Sequence, residues 1–253
     1  MSGFYATIAR YYDAEHFDKT EDLPLYEDIA GEYGDPILIV GSGTGRVMLH
    51  LAERGYTVHG IEGERAMLER ARQKLAAAPE LAERVQFHPG DALTLALDLR
   101  AKVTIIPYNT LMHFHTQDAQ LRLLGRIRQW TAQDGALVID LPNAGEAYAG
   151  MDTGAVTLER TFLDPETGHL IMQQSVSELD RAEQLMRVTW IYDEVTGDGT
   201  VKRTVAPVVN RYFFLPEMQL LLRASGFHSV DAYGDFDYSP YADGSPRMIL
   251  IAR

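Results

Sequence analysis

The stretch "ILIVGSGTGRV", at positions 37–47, combines residues whose types and spacing point to ligand binding. A short apolar run stops at Gly41, Gly43 and Gly45, and an apolar helical pattern follows them. Glycines between a strand and a helix allow a tight turn and close backbone approach, and the helix N-terminus adds N–H donors and partial positive charge. We therefore expect a ligand to place a negative or electron-rich group over this turn.

The glycine spacing differs from the fingerprint of dinucleotide-binding proteins. That fingerprint requires Gly-x-Gly-x-x-Gly, whereas Arg46 occupies the third glycine position here and the glycine falls one residue earlier, at Gly45. A long side chain at this place would obstruct close packing against a pyrophosphate. The turn alone is a weak signal, because glycines also serve tight packing.

Two acidic residues at predicted strand ends strengthen the case for a nucleoside ligand. Glu62 ends the second predicted strand, about 20 residues after the glycines, where a carboxylate can accept hydrogen bonds from both ribose hydroxyls. Asp91, in "FHPGDA", can accept a bond from an adenine amino group while the Ala92 N–H donates to a ring nitrogen. A solvated loop glutamate and a helix-capping aspartate are the alternatives. Together these positions favour an adenosine-containing cofactor.

The elements that must position these residues follow from hydrophobic periodicity. Strands are predicted at "PILIV", "YTVHGIE", "RVQFHPG", "AKVTIIP" and "ALVIDLP". Helices are predicted at "EDLPLYEDIAGEYG", "GRVMLHLAERG", "ERAMLERARQKLAAA" and "QDAQLRLLGRIRQWTAQDG". Strands that alternate with helices predict a parallel sheet covered on both faces. The carboxyl edge of such a sheet is where ligands bind.

A second region, about 155–215, shows the period-two alternation of antiparallel strands. Its strand patterns are "AVTLERTFL", "HLIMQQSVSEL", "QLMRVTWIYDEV" and "VKRTVAPVVNRYFF", separated by turn residues. A helix, "LPEMQLLLRASGF", and two strands, "HSVDAYGDF" and "RMILIAR", come after it. The antiparallel segment therefore reads as an insertion into the α/β unit, which resumes beyond it.

Composition excludes several classes of protein and site. The 253 residues contain no cysteine, which excludes disulfides, thiolate metal sites and cysteine nucleophiles. The net charge is 23 − 36 = −13 with no Lys/Arg cluster, which argues against nucleic acid as a partner. No stretch reaches the roughly 20 apolar residues that cross a bilayer, and no secretory signal is recognisable. We expect no membrane association and a cytoplasmic location.

Several motifs resemble those of class I S-adenosylmethionine-dependent methyltransferases. The segment "ILIVGSGTGRVMLHLAERGYTVHGIEGERAMLERARQKL" looks like the first two motifs of that family, and "VQFHPGDA" matches the third. "TIIPYNTLMHF" resembles the strand and loop after which the methyl donor lies. The N-terminal "IARYYDAEHFDKTEDLPLYEDIA" looks like the cofactor-covering helices of small-molecule members, and the antiparallel insertion is similar to that of amino-sugar N-methyltransferases.

The resemblance implies a Rossmann-like α/β fold with a mostly parallel seven-stranded sheet and helices on both faces. It adds an N-terminal helical lid and an antiparallel β insertion before the last helix. The whole chain, 1–253, would form one methyltransferase domain. Its segments would be the lid (1–33), the cofactor-binding core (34–142), the insertion (155–215) and the completion of the core sheet (216–253).

The resemblance also implies roles for individual residues. The glycines would lie under the methionine and ribose, Glu62 would hold the ribose diol and Asp91 the adenine amine. The full cofactor-binding set is Tyr12, Gly41, Ser42, Gly43, Gly45, Glu62, Gly63, Asp91, Ala92 and Pro107, and no metal is expected. One position departs from the family pattern, because Ile39 stands where an acid is usual.

For catalysis, the resemblance points to Tyr12 in the lid, Asn109 facing the sulfonium, and His113. We favour His113 over His115 because the family often has a histidine at that point of the loop. His169, in the insertion, is a second candidate base, although a turn histidine is the ordinary interpretation of such a residue.

The expected activity is methyl transfer from S-adenosylmethionine to nitrogen or oxygen of a small-molecule acceptor. A nicotinamide-dependent Rossmann oxidoreductase is one alternative, disfavoured by the displaced third glycine. A methyltransferase-like module that binds the cofactor without turnover is the other, and Ile39 keeps it open. Family analogy favours a homodimer, although no residue of the sequence demonstrates one.

Overall fold

The computed structural model of the protein describes residues 3–145 and 154–253. A seven-stranded sheet forms its centre, in the order β10-β11-β5-β4-β1-β2-β3. Its strands are β1 (Ile37–Val40), β2 (Val58–Glu62), β3 (Val85–Pro89), β4 (Ala101–Ile106), β5 (Thr131–Pro142), β10 (Val230–Tyr233) and β11 (Arg247–Ala252). Strands β1 to β5 pair in parallel, and β11 runs antiparallel to both β5 and β10. The predicted α/β fold class is confirmed.

Helices cover both faces of this sheet. They are α1 (Phe4–Glu15), α2 (Leu23–Tyr33), α3 (Arg46–Glu53), α4 (Arg65–Ala77), α5 (Gln117–Trp130) and α6 (Leu215–Ala224). The side chains of β1 divide between two cores, with Leu38 and Val40 on one face of the sheet and Ile37 and Ile39 on the other. Burial on both faces explains why the strand is an uninterrupted apolar run.

The insertion forms a separate four-stranded antiparallel sheet. Its strands β6 (Thr157–Leu163), β7 (Leu170–Asp180), β8 (Leu185–Val195) and β9 (Val201–Arg211) pair in sequence order. The predicted hairpins and the position of the insertion before the last helix are therefore confirmed.

One predicted boundary is wrong. The helix expected to run to Gly135 ends at Trp130, and β5 begins at Thr131 without an intervening loop. Thr131 has extended backbone angles and pairs with Ala101, so strand pairing with β4 takes over from helical bonding. Gly135 is required in this segment because a Cβ there would lie 2.7 Å from the Lys102 carbonyl oxygen.

Helix α1 packs against the antiparallel sheet. The Tyr11 ring stacks on Tyr192 of β8, with ring centroids 4.8 Å apart. The buried Glu15 carboxylate accepts hydrogen bonds from Gln173 Nε2 at 2.6 Å and from the Tyr192 hydroxyl at 3.0 Å. These contacts fix the helix that carries Tyr12.

No helix within the two described ranges is long and apolar enough to span a bilayer.

Candidate active site

A cavity of about 890 Å³, counting the open space at its mouth, lies at the carboxyl ends of the parallel strands. The cavity is lined by Tyr5, Tyr12, Val40, Gly41, Ser42, Gly43, Thr44, Arg46, Val47, Ile61, Glu62, Gly63, Met67, Gly90, Asp91, Ala92, Pro107, Tyr108, Thr110, His113 and Phe114. Most residues assigned to the cofactor from the sequence therefore lie together; Gly45 instead precedes α3 as its N-cap.

The glycine turn has the backbone geometry that its sequence predicts. Gly41 and Gly43 adopt φ values of +75° and +57°, a region that L-residues seldom occupy. A Cβ on Gly41 would also overlap the Thr110 side chain, whose Oγ1 would lie 2.7 Å away. A Cβ on Gly43 would make only an ordinary contact, 3.8 Å from the end of the Met67 side chain, so conformation rather than steric exclusion selects glycine there. At Gly41, both the left-handed backbone and the adjacent Thr110 side chain therefore require glycine.

Ser42, within this turn, lines the cavity, but its hydroxyl is buried against β2. A Cβ on Gly60 would lie 2.8 Å from Ser42 Oγ, which has no hydrogen-bond partner in the described part of the chain. The backbone N–H groups of Gly41 and Ser42 both donate to the Ile61 carbonyl, at 2.9 and 3.0 Å. These bonds hold the turn against the end of β2.

Glu62 lies at the end of β2 on the cavity wall and is only 8% exposed. Its Oε2 accepts a hydrogen bond from the Gly43 N–H and its Oε1 one from the Glu64 N–H, both at 2.7 Å. Burial raises the pKa of this carboxyl, opposed by the two backbone donors. Each oxygen retains capacity for a further donor. The glycine turn and the acid are thus one hydrogen-bonded unit.

Asp91 lies at the end of β3 and is more exposed. Its Oδ1 accepts a hydrogen bond from the Leu93 N–H at 2.9 Å within a turn, and because no helix begins in the described segment between β3 and β4 the helix-capping alternative is not met. Asp91 and the buried Ala92 both border the cavity, so the local bond leaves Asp91 at its wall.

Tyr12 and His113 both line the cavity, and the Tyr5 ring lies against each of them. Tyr12 belongs to α1, and His113 ends a 3₁₀ turn after β4. His113 Nε2 lies 2.6 Å from the Tyr5 hydroxyl. Burial, assisted by the nearby His115, lowers the pKa of His113 to about 4. His113 is therefore neutral near pH 7 and a weak base.

The structure does not bring Asn109 or His169 to this cavity. Asn109 Oδ1 accepts a hydrogen bond from Arg247 Nη2 at 2.9 Å and the residue is not among the lining residues, while its place facing a bound sulfonium stays a prediction. Its backbone is left-handed, and this conformation turns the side chain toward Arg247. His169 Nδ1 lies 2.7 Å from a Glu194 carboxylate oxygen in the insertion, away from the lining residues.

Tyr5, Tyr108 and Phe114 line the cavity but were missed by the sequence reasoning. Tyr108 directly follows the predicted strand end "TIIP", a position that could have signalled it. Its unusual φ of 39° is held by a hydrogen bond from its N–H to Asp140 Oδ2 at 3.1 Å. Only the folded chain brings Tyr5 to this wall.

Arg46 and Ile39, the two departures from familiar patterns, have structural explanations. The Arg46 guanidinium donates to both carboxylate oxygens of the fully buried Asp22, at 2.7 and 2.5 Å, and this pair connects α3 with the start of α2. Ile39 is completely buried in the core on the face of α2 and α3. Its side chain therefore does not border the cavity.

Polar contacts fasten α1 to the cofactor side of the cavity. Asp13 Oδ1 accepts hydrogen bonds from Thr44 Oγ1 at 2.6 Å and from Lys74 Nζ at 2.5 Å. Thr44 is itself a lining residue, so the helix is held directly over the glycine turn.

Comparisons with known proteins agree with this geometry. Residues 37–135 match the family model described as a methyltransferase domain. The cypemycin N-terminal methyltransferase of a Streptomyces species is 25% identical over 219 residues, which cover 86% of this chain and 82% of that protein. The chain is an S-adenosylmethionine-dependent methyltransferase. The predicted recognition, enzyme class and cofactor are confirmed, and nothing supports the oxidoreductase alternative.

Solved structures share the fold of this methyltransferase across nearly its whole length. The CcbJ methyltransferase from Streptomyces caelestis superposes with a TM-score of 0.79 at 25% identity, covering 95% of both chains. CalS10 from Micromonospora echinaspora, an amino pentose methyltransferase solved with S-adenosylmethionine bound, gives a TM-score of 0.73 at 19% identity over 95% of both chains. The latter likeness concerns the fold alone.

Proposed function

We propose that this methyltransferase transfers the methyl group to an amine nitrogen of a small molecule. The observation that carries the proposal is a single cavity that joins the glycine turn and Glu62 to an aromatic wall. That wall consists of Tyr5, Tyr12, Tyr108 and Phe114, with His113 beside them. Aromatic ring faces attract cations, and a protonated amine is such a cation.

The lining residues fit the cofactor. Glu62 has acceptor capacity for the ribose hydroxyls, and Asp91 and Ala92 offer an acceptor and a donor at the adenine end. Gly41 and Gly43 leave the turn without side chains, which allows its backbone to approach a bound cofactor closely. When bound, S-adenosylmethionine supplies an activated methyl group on a sulfonium. The chain's own task is to hold the acceptor in line with that methyl, and positioning of this kind contributes roughly 7–11 kcal/mol.

The electrostatics of the wall favour nitrogen over oxygen as the acceptor atom. A hydroxyl needs a strong base for efficient attack, whereas an unprotonated amine attacks with its own lone pair. His113, with its pKa lowered to about 4, is a poor base for an alcohol. We assign the His113–Tyr5 pair to orienting the acceptor. The cypemycin enzyme named above is called an N-terminal methyltransferase, which agrees with this choice.

A methylation screen tests the proposal. The full chain is incubated with [methyl-¹³C]S-adenosylmethionine and a panel of amino sugars, aliphatic amines and short peptides, each paired with its hydroxyl analogue. We expect methylated product from amines and none from the paired hydroxyl compounds, detected by mass spectrometry. Methylation of hydroxyl compounds alone would overturn the choice of nitrogen. Tight cofactor binding by calorimetry with no product from any compound would favour a module without turnover.

Three further properties stay predictions. The first is the division of one domain into four segments, of which residues 1–2 lie outside the described ranges. A cytoplasmic location and a homodimer rest on the sequence and on family analogy. Light scattering of the purified chain would test the dimer, and a mass corresponding to 28.3 kDa would contradict it.

A further inference from the structure

We propose that Tyr108 and His16 form a proton relay that deprotonates the ammonium form of the acceptor before methyl transfer. The inference rests on the proposed function, because it concerns an amine acceptor in the same cavity. In the relay, an N–H bond of the ammonium breaks and its proton passes to the Tyr108 oxygen. The Tyr108 O–H bond breaks as its proton passes to His16 Nε2, so the nitrogen regains its lone pair and His16 becomes an imidazolium.

The tautomer of His16 is fixed by its backbone contact. Nδ1 lies 2.8 Å from the Tyr12 carbonyl oxygen, which can only accept, so Nδ1 carries the hydrogen. The neutral ring then has its lone pair on Nε2. That nitrogen lies 3.2 Å from the Tyr108 hydroxyl, which is therefore the donor. The ring of Tyr12 stacks on that of His16, with centroids 4.4 Å apart, and this contact holds the imidazole plane.

Tyr108 connects this base to the cavity. Its side chain is part of the aromatic wall, whereas His16 is not among the lining residues. The strained backbone of Tyr108 is fixed by Asp140, which in turn forms a buried ion pair with Arg247. Strained backbone conformations persist where surrounding structure holds them and are concentrated at functional sites. Tyr108 thus borders the cavity while its hydroxyl contacts His16.

A carboxylate, that of Glu15, supplies a counter-charge for an imidazolium formed on His16 during the reaction. Glu15 favours the imidazolium, while Arg160 and Lys19 oppose it; the remaining titratable neighbours are Tyr12 and Tyr108. Burial is the largest effect and lowers the pKa of His16, which keeps the ring neutral near pH 7.

The ammonium of Lys19 lies 4.3 Å from the centroid of the Tyr108 ring. Burial raises the pKa of Tyr108, so its hydroxyl passes one proton to His16 as it receives another and does not become a free phenolate.

His113 lacks the corresponding support. The titratable neighbour that shifts its pKa within the described residues is His115, whose charge opposes protonation, and no carboxylate acts on it. An imidazolium formed on His113 would therefore be buried without a counter-charge. This difference assigns proton acceptance to His16, with Tyr108 as the group that touches the acceptor, and leaves the orienting role to His113.

The test compares His16→Gln and Tyr108→Phe with the control His228→Gln, which changes an exposed histidine beyond α6. The substrate is whichever amine the methylation screen identifies, and the readout is kcat/KM from pH 5 to 10. With the relay, the ammonium itself is a substrate, and the rate of the unchanged protein should rise with pH through an apparent pKa below 6.5, where His16 loses its proton.

Each relay variant should instead depend on the free amine already in solution. For an amine with a pKa of about 9, about 1% is unprotonated at pH 7, so kcat/KM should fall roughly 100-fold there and recover above pH 9. The control should keep the profile of the unchanged protein. A purely structural role for either residue would lower the rate at every pH. Circular dichroism and the urea midpoint of each variant verify that it is folded, and each should still bind S-adenosylhomocysteine by calorimetry.

Nitrogen-15 NMR of histidine-labelled full chain gives a test without turnover. We expect His16 to be the Nδ1–H tautomer and its Nε2 shift to move in Tyr108→Phe. An Nε2–H tautomer would overturn the relay. Relay variants whose kcat/KM still rises through an apparent pKa below 6.5, as in the unchanged protein, would overturn it as well. A protein that methylates no amine at all would instead overturn the proposed function, so the two failures are distinguishable.

Discussion

Replacing Glu62 by alanine should weaken cofactor binding more than it weakens the fold. The carboxylate accepts the Gly43 and Glu64 N–H groups at 2.7 Å each and has capacity for two further donors. Glu62→Ala removes all of these acceptors at once. Because the residue borders the cavity, water can reach the two backbone donors when the cofactor is absent.

The magnitude follows from the contacts. A hydrogen bond to a buried charged group contributes about 1.5–3 kcal/mol, and a donor left unsatisfied costs about 1–3 kcal/mol. In the variant, water partly satisfies the Gly43 and Glu64 N–H groups. The variant also avoids the cost of burying a carboxylate, the same burial that raises the pKa of Glu62. We therefore expect a loss of about 1–3 kcal/mol in cofactor binding, or roughly 5- to 150-fold in Kd, and a smaller loss of unfolding free energy.

Titration calorimetry with S-adenosylhomocysteine measures the Kd, and urea unfolding measures stability. Glu69→Ala is the matched control, because Glu69 lies nearby on α4 but is exposed and pairs with Arg65 at 2.7 Å. Its Kd should stay within about twofold of the unchanged protein. Asp91→Ala should weaken binding in the same range as Glu62→Ala. Unchanged affinity in both acid variants, with normal folding, would refute the assignment of these strand ends to the nucleoside.

Three further substitutions test other parts of the site. Gly41→Ala should cost about 1–2 kcal/mol in unfolding free energy from its left-handed backbone alone, with an added clash that Thr110→Ala relieves; equal stability with and without Thr110→Ala would contradict the clash. Arg46→Ala should cost about 3–5 kcal/mol by leaving the Asp22 carboxylate buried and unpaired, and a urea midpoint near that of the unchanged protein would disprove it. His113 is neutral in the fold down to about pH 4, whereas the unfolded chain protonates it near pH 6.5, so its stabilisation is complete above pH 6.5 and is lost as pH falls toward 4. His113→Gln should remove about 3 kcal/mol of pH-dependent stability across that window, and an unchanged pH profile would show that the histidine is not buried as described.

Local patterns were sufficient for the fold and for most of the cofactor side of the site. The run at Ile37 to Val40 and the glycines after it are consecutive in the chain, so periodicity and backbone preference alone predict a strand, a turn and a helix. Parallel pairing then brings Glu62 and Asp91 to the same sheet edge. The helix that was predicted to continue to Gly135 ends at Trp130, and this shows the limit of such reasoning. Pairing of Thr131 with β4 overrode the helical pattern.

The sequence by itself therefore determined the class of fold, the glycine turn and the acids at the strand ends, because each depends on neighbouring residues and on the regular geometry of parallel strands. The tertiary structure decided which polar side chains meet. Asn109 turned to Arg247, 138 positions away, and His16 met Tyr108, 92 positions away. Such contacts depend on how α1 packs between two sheets and on the left-handed loop after β4, and no local pattern in the chain encodes the distance between them.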